Sequence, residues 1–214
     1  MIVILMTKAK IYLKGVDIND YTITGFYYSV GEYNFRKYLN IKSIKDSCGV
    51  PDLMVIMMNP GSSSPINEND NGRFETEAKP DVTQKQIIRV MELNGYKYAR
   101  VLNLSDLREP KSSCFYKEIA PMDSNGINHS LFTENRAKEF NKYFINGIPV
   151  IYAWGVNYRL RKFAKRAIAL TKNENSIGWN KPGHEYAFYH PLPRTYKKQK
   201  EWYEIINKKL SEFK

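Results

Sequence analysis

Three residues of this 214-residue chain end apolar runs with a polar group able to bind or steer a reactant. They are Asn59 in "VIMMNPGSSSP" (55–65), Asn103 in "YARVLNL" (98–104) and His190 in "HEYAFYHPLP" (184–193). An asparagine offers one acceptor and two donors in a plane, and a neutral imidazole offers one of each. Such groups suit recognition of a small planar partner and stabilisation of developing negative charge. Each also has a plainer role. Asn59 before Pro60-Gly61 can be a turn former, and Asn103, like Ser105 or Asp106, can cap a following helix. His190 can be a buried histidine satisfied by a carbonyl.

Other chemistries find less support. Ser62–Ser64 stand in no G-x-S-x-G context, and His129, His184 and His190 give no recognisable triad order for a serine hydrolase. Cys48 and Cys114, 66 residues apart, match neither a zinc-ligand spacing nor a disulfide framework. No metal and no cofactor are therefore expected, and a reducing cytoplasm fits. "MIVILM" at the start has six apolar residues, too few for a signal-peptide core or a membrane span. The expectation is a cytoplasmic monomer that does not enter membranes. A formal charge of +11, from 33 Lys+Arg against 22 Asp+Glu, is the footprint of a protein that meets polyanions, although a lysine-rich solvated surface has the same composition.

The elements that position these residues follow from periodicity. One domain over 1–214 is expected, with 1–50 as an N-terminal elaboration whose "YTITGFYYSVGEYNFRKYLN" (21–40) reads as strand-turn pieces laid over the core. From residue 52 onward, buried strands "DLMVIMMN", "YARVLNL", "PVIYAWG" and "HEYAFYHPLP" alternate with segments of helical period. The helices are "TQKQIIRVMELNG", "NRAKEFNKYFING", "NYRLRKFAKRAIALTK" and "KKQKEWYEIINKKL". The polar stretch 62–81 reads as a long loop. Strands alternating with helices predict an α/β fold, a three-layer α/β/α sandwich around a mainly parallel four-stranded sheet. In such sheets ligands bind beyond the carboxyl ends of the strands, which places Asn59, Asn103, Trp154-Gly155 and His190 on one rim.

The strand ends carry a resemblance. "MMNPG" (57–61), "VLNLSDL" (101–107), "YAWG" (152–155) and "HPLPRT" (190–195) stand in the order of the uracil-DNA glycosylase superfamily motifs. Those are G-x-[DN]-P-[YG], a strand ending in Leu-Asn, a Leu-Trp-Gly strand and a His-Pro-Ser-Pro loop. The chain also resembles a bacterial and phage domain-of-unknown-function family, number 1643. Its M-L-N-P-S, D-D-P-T and V-V-N-L-F motifs are matched here by "MMNPG", "PDVT" (80–83) and "RVLNL". Met57 replaces the first glycine of the glycosylase pattern, Leu192 and Arg194 replace the serine and wedge leucine of the last motif, and Asn59 aligns with the mismatch-specific branch.

The resemblance implies a monofunctional DNA glycosylase acting on a flipped uracil-like or 5-substituted pyrimidine in single- or double-stranded DNA, without metal or cofactor. Asn59 would steer water and His190 would donate to an oxygen of the departing base, an interaction worth on the order of 3 kcal/mol. Asn103 would read the base edge, with Phe74 as stacking platform and Gly61 in place of a blocking tyrosine. Arg194 takes the wedge position, and Lys197, Lys198, Arg159 and Arg161 would meet phosphates. Asp81 and Thr83 would cap a helix or line the pocket. The alternative is a nucleic-acid or nucleotide-binding module of the same fold without hydrolysis, for which Asn59 in place of a carboxylate speaks.

Overall fold

The computed structural model describes residues 17–45, 48–67 and 72–213, so the "MIVILM" segment lies outside the described residues. The sheet is organised about β3 (Leu53–Met57), apolar and buried at all five positions, as a central strand covered on both faces must be. Beside it run β5 (Tyr98–Asn103) and β6 (Val150–Tyr152), with β7 (Ser176–Gly178) outermost, and these three pairings are parallel. Beyond β5 the sheet turns antiparallel through β2 (Tyr33–Ser43), β1 (Tyr21–Val30) and the two-residue β4 (Thr76–Glu77). The order is β4-β1-β2-β5-β3-β6-β7.

The sheet is therefore mixed and seven-stranded, not mainly parallel and four-stranded. Residues 21–43 are part of the sheet itself, its two longest strands, rather than pieces laid over the core. The fourth parallel strand is β7, not 184–193, where Phe188 makes only isolated bridges to Gly155 and Asn180. Proline at 182, 191 and 193 limits extended pairing there. Trp154, expected on the rim, is a core residue whose Nε1–H donates to the Tyr186 carbonyl at 2.8 Å.

Helices cover both faces. α1 (Val82–Asn94) and α5 (Tyr196–Ser211) pack on one through Ile87, Ile88, Met91, Trp202 and Ile206. α2 (Ser112–Ser124), α3 (Ala137–Tyr143) and α4 (Arg161–Thr171) pack on the other through Phe115, Met122, Phe140 and Phe163. α1 starts at a capping box: the Asp81 carboxylate accepts from Gln84 N–H at 2.8 Å, and the Gln84 Oε1 accepts from Asp81 N–H at 3.0 Å. It stops at Gly95, whose φ of 76° is the left-handed cap. α2 was not expected from sequence, since it carries Pro121 and buries only Phe115 and Met122. No helix among the described residues is long and apolar enough to cross a membrane.

A β-bulge in the β1–β2 hairpin decides which residues face α1. Gly25 pairs with Leu39 and Tyr27 with Arg36, so three steps on β2 answer two on β1. Phe35 and Tyr38, three residues apart, consequently share the α2–α4 face, while Leu39 and Ile41 belong to the α1–α5 face. Without the extra residue Arg36 would point away from Leu39; with it, both line one cavity beneath α1. Gly25 makes room for this, because a Cβ there would lie 2.8 Å from the Tyr27 ring.

Between α1 and α5, Asn94 Nδ2 donates to Asn207 Oδ1 at 2.6 Å and to the Val90 carbonyl at 2.9 Å, and Asn207 Nδ2 donates to the Tyr203 carbonyl at 2.8 Å. Asn94→Leu leaves a buried acceptor without its donor, so urea denaturation should show a loss of about 1–3 kcal/mol. Asn94→Leu/Asn207→Leu, in which both partners become apolar, should recover most of it.

Candidate functional site

The turn after β3 is braced from two sides. Ser63 N–H donates to the Pro60 carbonyl at 3.2 Å, and Gly61 holds the left-handed φ of 62° that the turn needs. Asn59 Nδ2 donates to the carbonyls of Leu107 at 3.2 Å and Glu109 at 2.7 Å. Both amide hydrogens are thereby committed, and Oδ1 remains as the acceptor. On the far side, the Tyr27 hydroxyl meets Ser63 Oγ at 3.0 Å, and Arg108 Nε donates to the Ser63 carbonyl at 2.8 Å.

This turn closes one side of a cavity of about 250 Å³ at the carboxyl ends of β3 and β5. Asn59, Gly61 and His190 line it, as the sequence predicts, together with Asp81 and Thr83 at the start of α1. Leu39, Ile41, Ile87 and Val101 give it an apolar base. Larger cavities, of about 940 Å³ beside α2–α4 and about 600 Å³ beside β7, gather none of these residues.

His190 is fixed in one tautomer. Leu192 N–H donates to Nδ1 at 3.1 Å, so the neutral ring carries its proton on Nε2. Burial pushes the imidazole pKa down to about 4. At neutral pH the residue is an uncharged N–H donor.

Asn103 does not cap a helix. It is fully buried at the end of β5, in register with Met57, and its Oδ1 accepts from Arg36 Nη2 at 2.9 Å. Arg36, 3% exposed, lines the cavity in front of it. Gln84, with its oxygen held by the capping box, lines the same wall. Two buried donor atoms of that wall, Arg36 Nε and Gln84 Nε2, have no acceptor among the described residues; nor has Asn103 Nδ2, although Asn103, expected to read a base edge, does not itself line the cavity. Arg36 forms no ion pair among the described residues; burial lowers its pKa, and Tyr27, Asp81 and Asp106 oppose that only partly. Sequence reasoning missed Arg36 and Gln84. The D-x-x-Q cap at 81–84 was a readable signal for Gln84, but the direction of Arg36 depends on the bulge.

The other expected residues lie apart. Phe74 is 60% exposed and does not line the cavity. Arg194, Lys197 and Lys198 are exposed on the loop after His190 and the first turn of α5. Arg159 and Arg161 are exposed near the start of α4, over the rings of Tyr116 and Tyr186. A chain of serine-hydrolase residue types does exist, with Ser105 Oγ 2.8 Å from His129 Nδ1 and His129 Nε2 3.4 Å from Asp123. Ser105 is fully buried, so the chain ties down the loop after β5 and offers no accessible nucleophile.

The depressed His190 pKa has a definite sign in stability. The unfolded chain takes up this proton below about 6.5 and the folded chain only near 4, so stability falls as pH drops through that window. Relative to His190→Asn, wild type should lose up to about 3 kcal/mol between pH 7 and pH 4, read by urea denaturation at each pH.

No curated protein and no solved structure matches the chain significantly. A family model does, over residues 42–192. That span includes Asn59, Asp81, Gln84, Asn103 and His190 but begins after Arg36. The chain belongs to DUF1643, a family of proteins of unknown function.

Proposed function

We propose that the cavity receives a flipped pyrimidine-like base and that the protein hydrolyses its N-glycosidic bond in DNA. The observation that carries this reading is the pairing in one cavity of a tautomer-fixed neutral His190 with Asn59, whose remaining free group is Oδ1. Breaking the bond sends its electron pair to the base. A donor such as His190 Nε2–H, in a site shielded from water, stabilises that charge without needing a formal positive charge of its own. Asn59 Oδ1 accepts a hydrogen bond from the attacking water and orients it toward the sugar. Asparagine cannot take the water's proton. Asp81 is the carboxylate among the cavity-lining residues, and one of its oxygens is already held by Gln84 N–H; the other is available as the proton acceptor.

Further observations support DNA as substrate. The strand-end motifs follow the order of the uracil-DNA glycosylase superfamily, helices flank both faces of the sheet, and the chain carries a net charge of +11. Exposed Arg194, Lys197 and Lys198 follow His190 directly, where a wedge and phosphate contacts would be wanted. Gly61 has open space beside it, which favours a base with a 5-substituent. A second reading, base sensing without hydrolysis, is favoured by one observation: Asn59 spends both amide hydrogens bracing the 107–109 loop.

The test is an alkali-nicking assay on single- and double-stranded oligonucleotides bearing one uracil, mismatched thymine or 5-modified pyrimidine. Wild type should produce abasic sites at one of these. His190→Ala should slow it about 100-fold, the equivalent of about 3 kcal/mol, with Asn59→Ala and Asp81→Asn also impaired. Tight binding without nicking, abolished by Asn103→Ala, would replace hydrolysis with sensing.

A further inference from the structure

We infer that Arg36 and Gln84, with Asn103 holding Arg36 from behind, form a binding wall for an anionic, oxygen-bearing group of the ligand, a carboxylate or phosphate whose oxygens accept from the Arg36 and Gln84 side chains. Each donor is directed by a bond at its other end. Gln84 Oε1 takes Asp81 N–H, and Asn103 Oδ1 takes Arg36 Nη2, so the amide nitrogens cannot be exchanged for oxygens without losing those bonds. Arg36, Gln84 and Asn103 are 3%, 3% and 0% exposed, yet Arg36 Nε, Gln84 Nε2 and Asn103 Nδ2 have no acceptor among the described residues. Nearly all buried polar groups in folded proteins are paired, and two such donors lining one cavity, Arg36 Nε and Gln84 Nε2, call for a common acceptor.

The charge narrows the class. A guanidinium stays protonated even when buried, and here the side chains it meets, the Asn103 amide and the Tyr27 hydroxyl, carry no negative charge at neutral pH. Asp81 and Asp106 act on it only from a distance; the Asp81 carboxylate accepts from the start of α1, and Asp106 Oδ2 accepts from Arg136 at 2.6 Å and Tyr28 at 3.0 Å. A neutral carbonyl would satisfy a donor but leave the charge unmatched, whereas an oxyanion does both. The bulge points the same way, since its one extra residue turns Arg36 into a covered cavity instead of toward the opposite face.

This deepens the reading of the cavity as a base site and rests on it for the ligand's size. The anion can be free, or it can be a substituent of a pyrimidine nucleotide, and binding alone tells these apart. Isothermal titration of the full chain would use uracil, uracil-5-carboxylate, dUMP and orthophosphate. At least one anionic probe should bind tenfold or more tightly than uracil. Orthophosphate binding as well as dUMP would identify a free oxyanion, and uracil-5-carboxylate binding best would identify a group on the base. Arg36→Met should abolish the preference while keeping or raising Tm, because it removes an unmatched buried charge. Arg36→Lys, which keeps charge but loses the Nε donor, should bind with intermediate affinity. Gln84→Leu should weaken the anion without affecting uracil. Equal binding of uracil and every anion, or an Arg36→Met protein with unchanged anion affinity, overturns the inference. Arg36-dependent anion binding without abasic sites would sink the hydrolysis alone; abasic sites without that dependence would sink this wall alone.

Discussion

A guanidinium held out of water against a neutral amide is the constraint to which much of this structure answers. Taking such a charge out of water costs several kcal/mol even after relaxation, and the surroundings of Arg36 are arranged to hold it there. The bulge sets its direction, Gly25 leaves space for the Tyr27 ring beside it, and Asn103 stands at the end of β5 to receive one nitrogen. The cost is carried by a sheet whose β3 is buried at every position and whose two faces each hold an extensive apolar cluster. A large core makes one uncompensated polar spot tolerable, and that spot coincides with the cavity.

A second buried network supports the first from the opposite face. Arg36 N–H donates to the Asp106 carbonyl at 2.8 Å, while the Asp106 side chain accepts from Arg136 and Tyr28. Burial pushes the Asp106 carboxyl up to about 6, against the pull of Arg136. Arg136 in turn pairs with Glu139, which also pairs with Lys37 at 2.5 Å. One residue of the loop after β5 thus joins the backbone of Arg36 to an ion-pair cluster on α3. The position of the cavity wall depends on both.

The parts legible in the sequence were those set by local pattern. The apolar run of β3, the Asp81 cap and Gly95 stop of α1, and the helical periods of α4 and α5 all describe real elements. Asn59, Gly61 and His190 were legible because strand-end turns announce themselves in residue type, and they do share a cavity. Residues 21–43 read as strand pieces, but their place in the sheet rests on the long-range antiparallel pairing of β2 with β5, which no local pattern announces. The run 184–193 misled, having an apolar pattern without the partners to make a ladder, while β7 is three residues long. Phe74 looked like a stacking platform by spacing alone and lies outside the cavity wall. Arg36 was hidden because its face is set by parity: one unseen residue in the hairpin reverses every side chain before it.

The hairpin also has a consequence for the order of folding. β1 and β2 are joined through a tight turn at Gly31, so their pairing is local and can form early, with Arg36 still in water. Its covered environment draws on residues as distant as Ile87, Val101 and His190 and is complete only when those segments dock. Dehydration of the guanidinium therefore belongs to the late, native side of the folding barrier. Interactions formed on that side govern how fast a protein unfolds more than how fast it folds. An anion seated against Arg36 would act chiefly as a brake on unfolding, lengthening the lifetime of the native state and leaving the folding rate nearly unchanged.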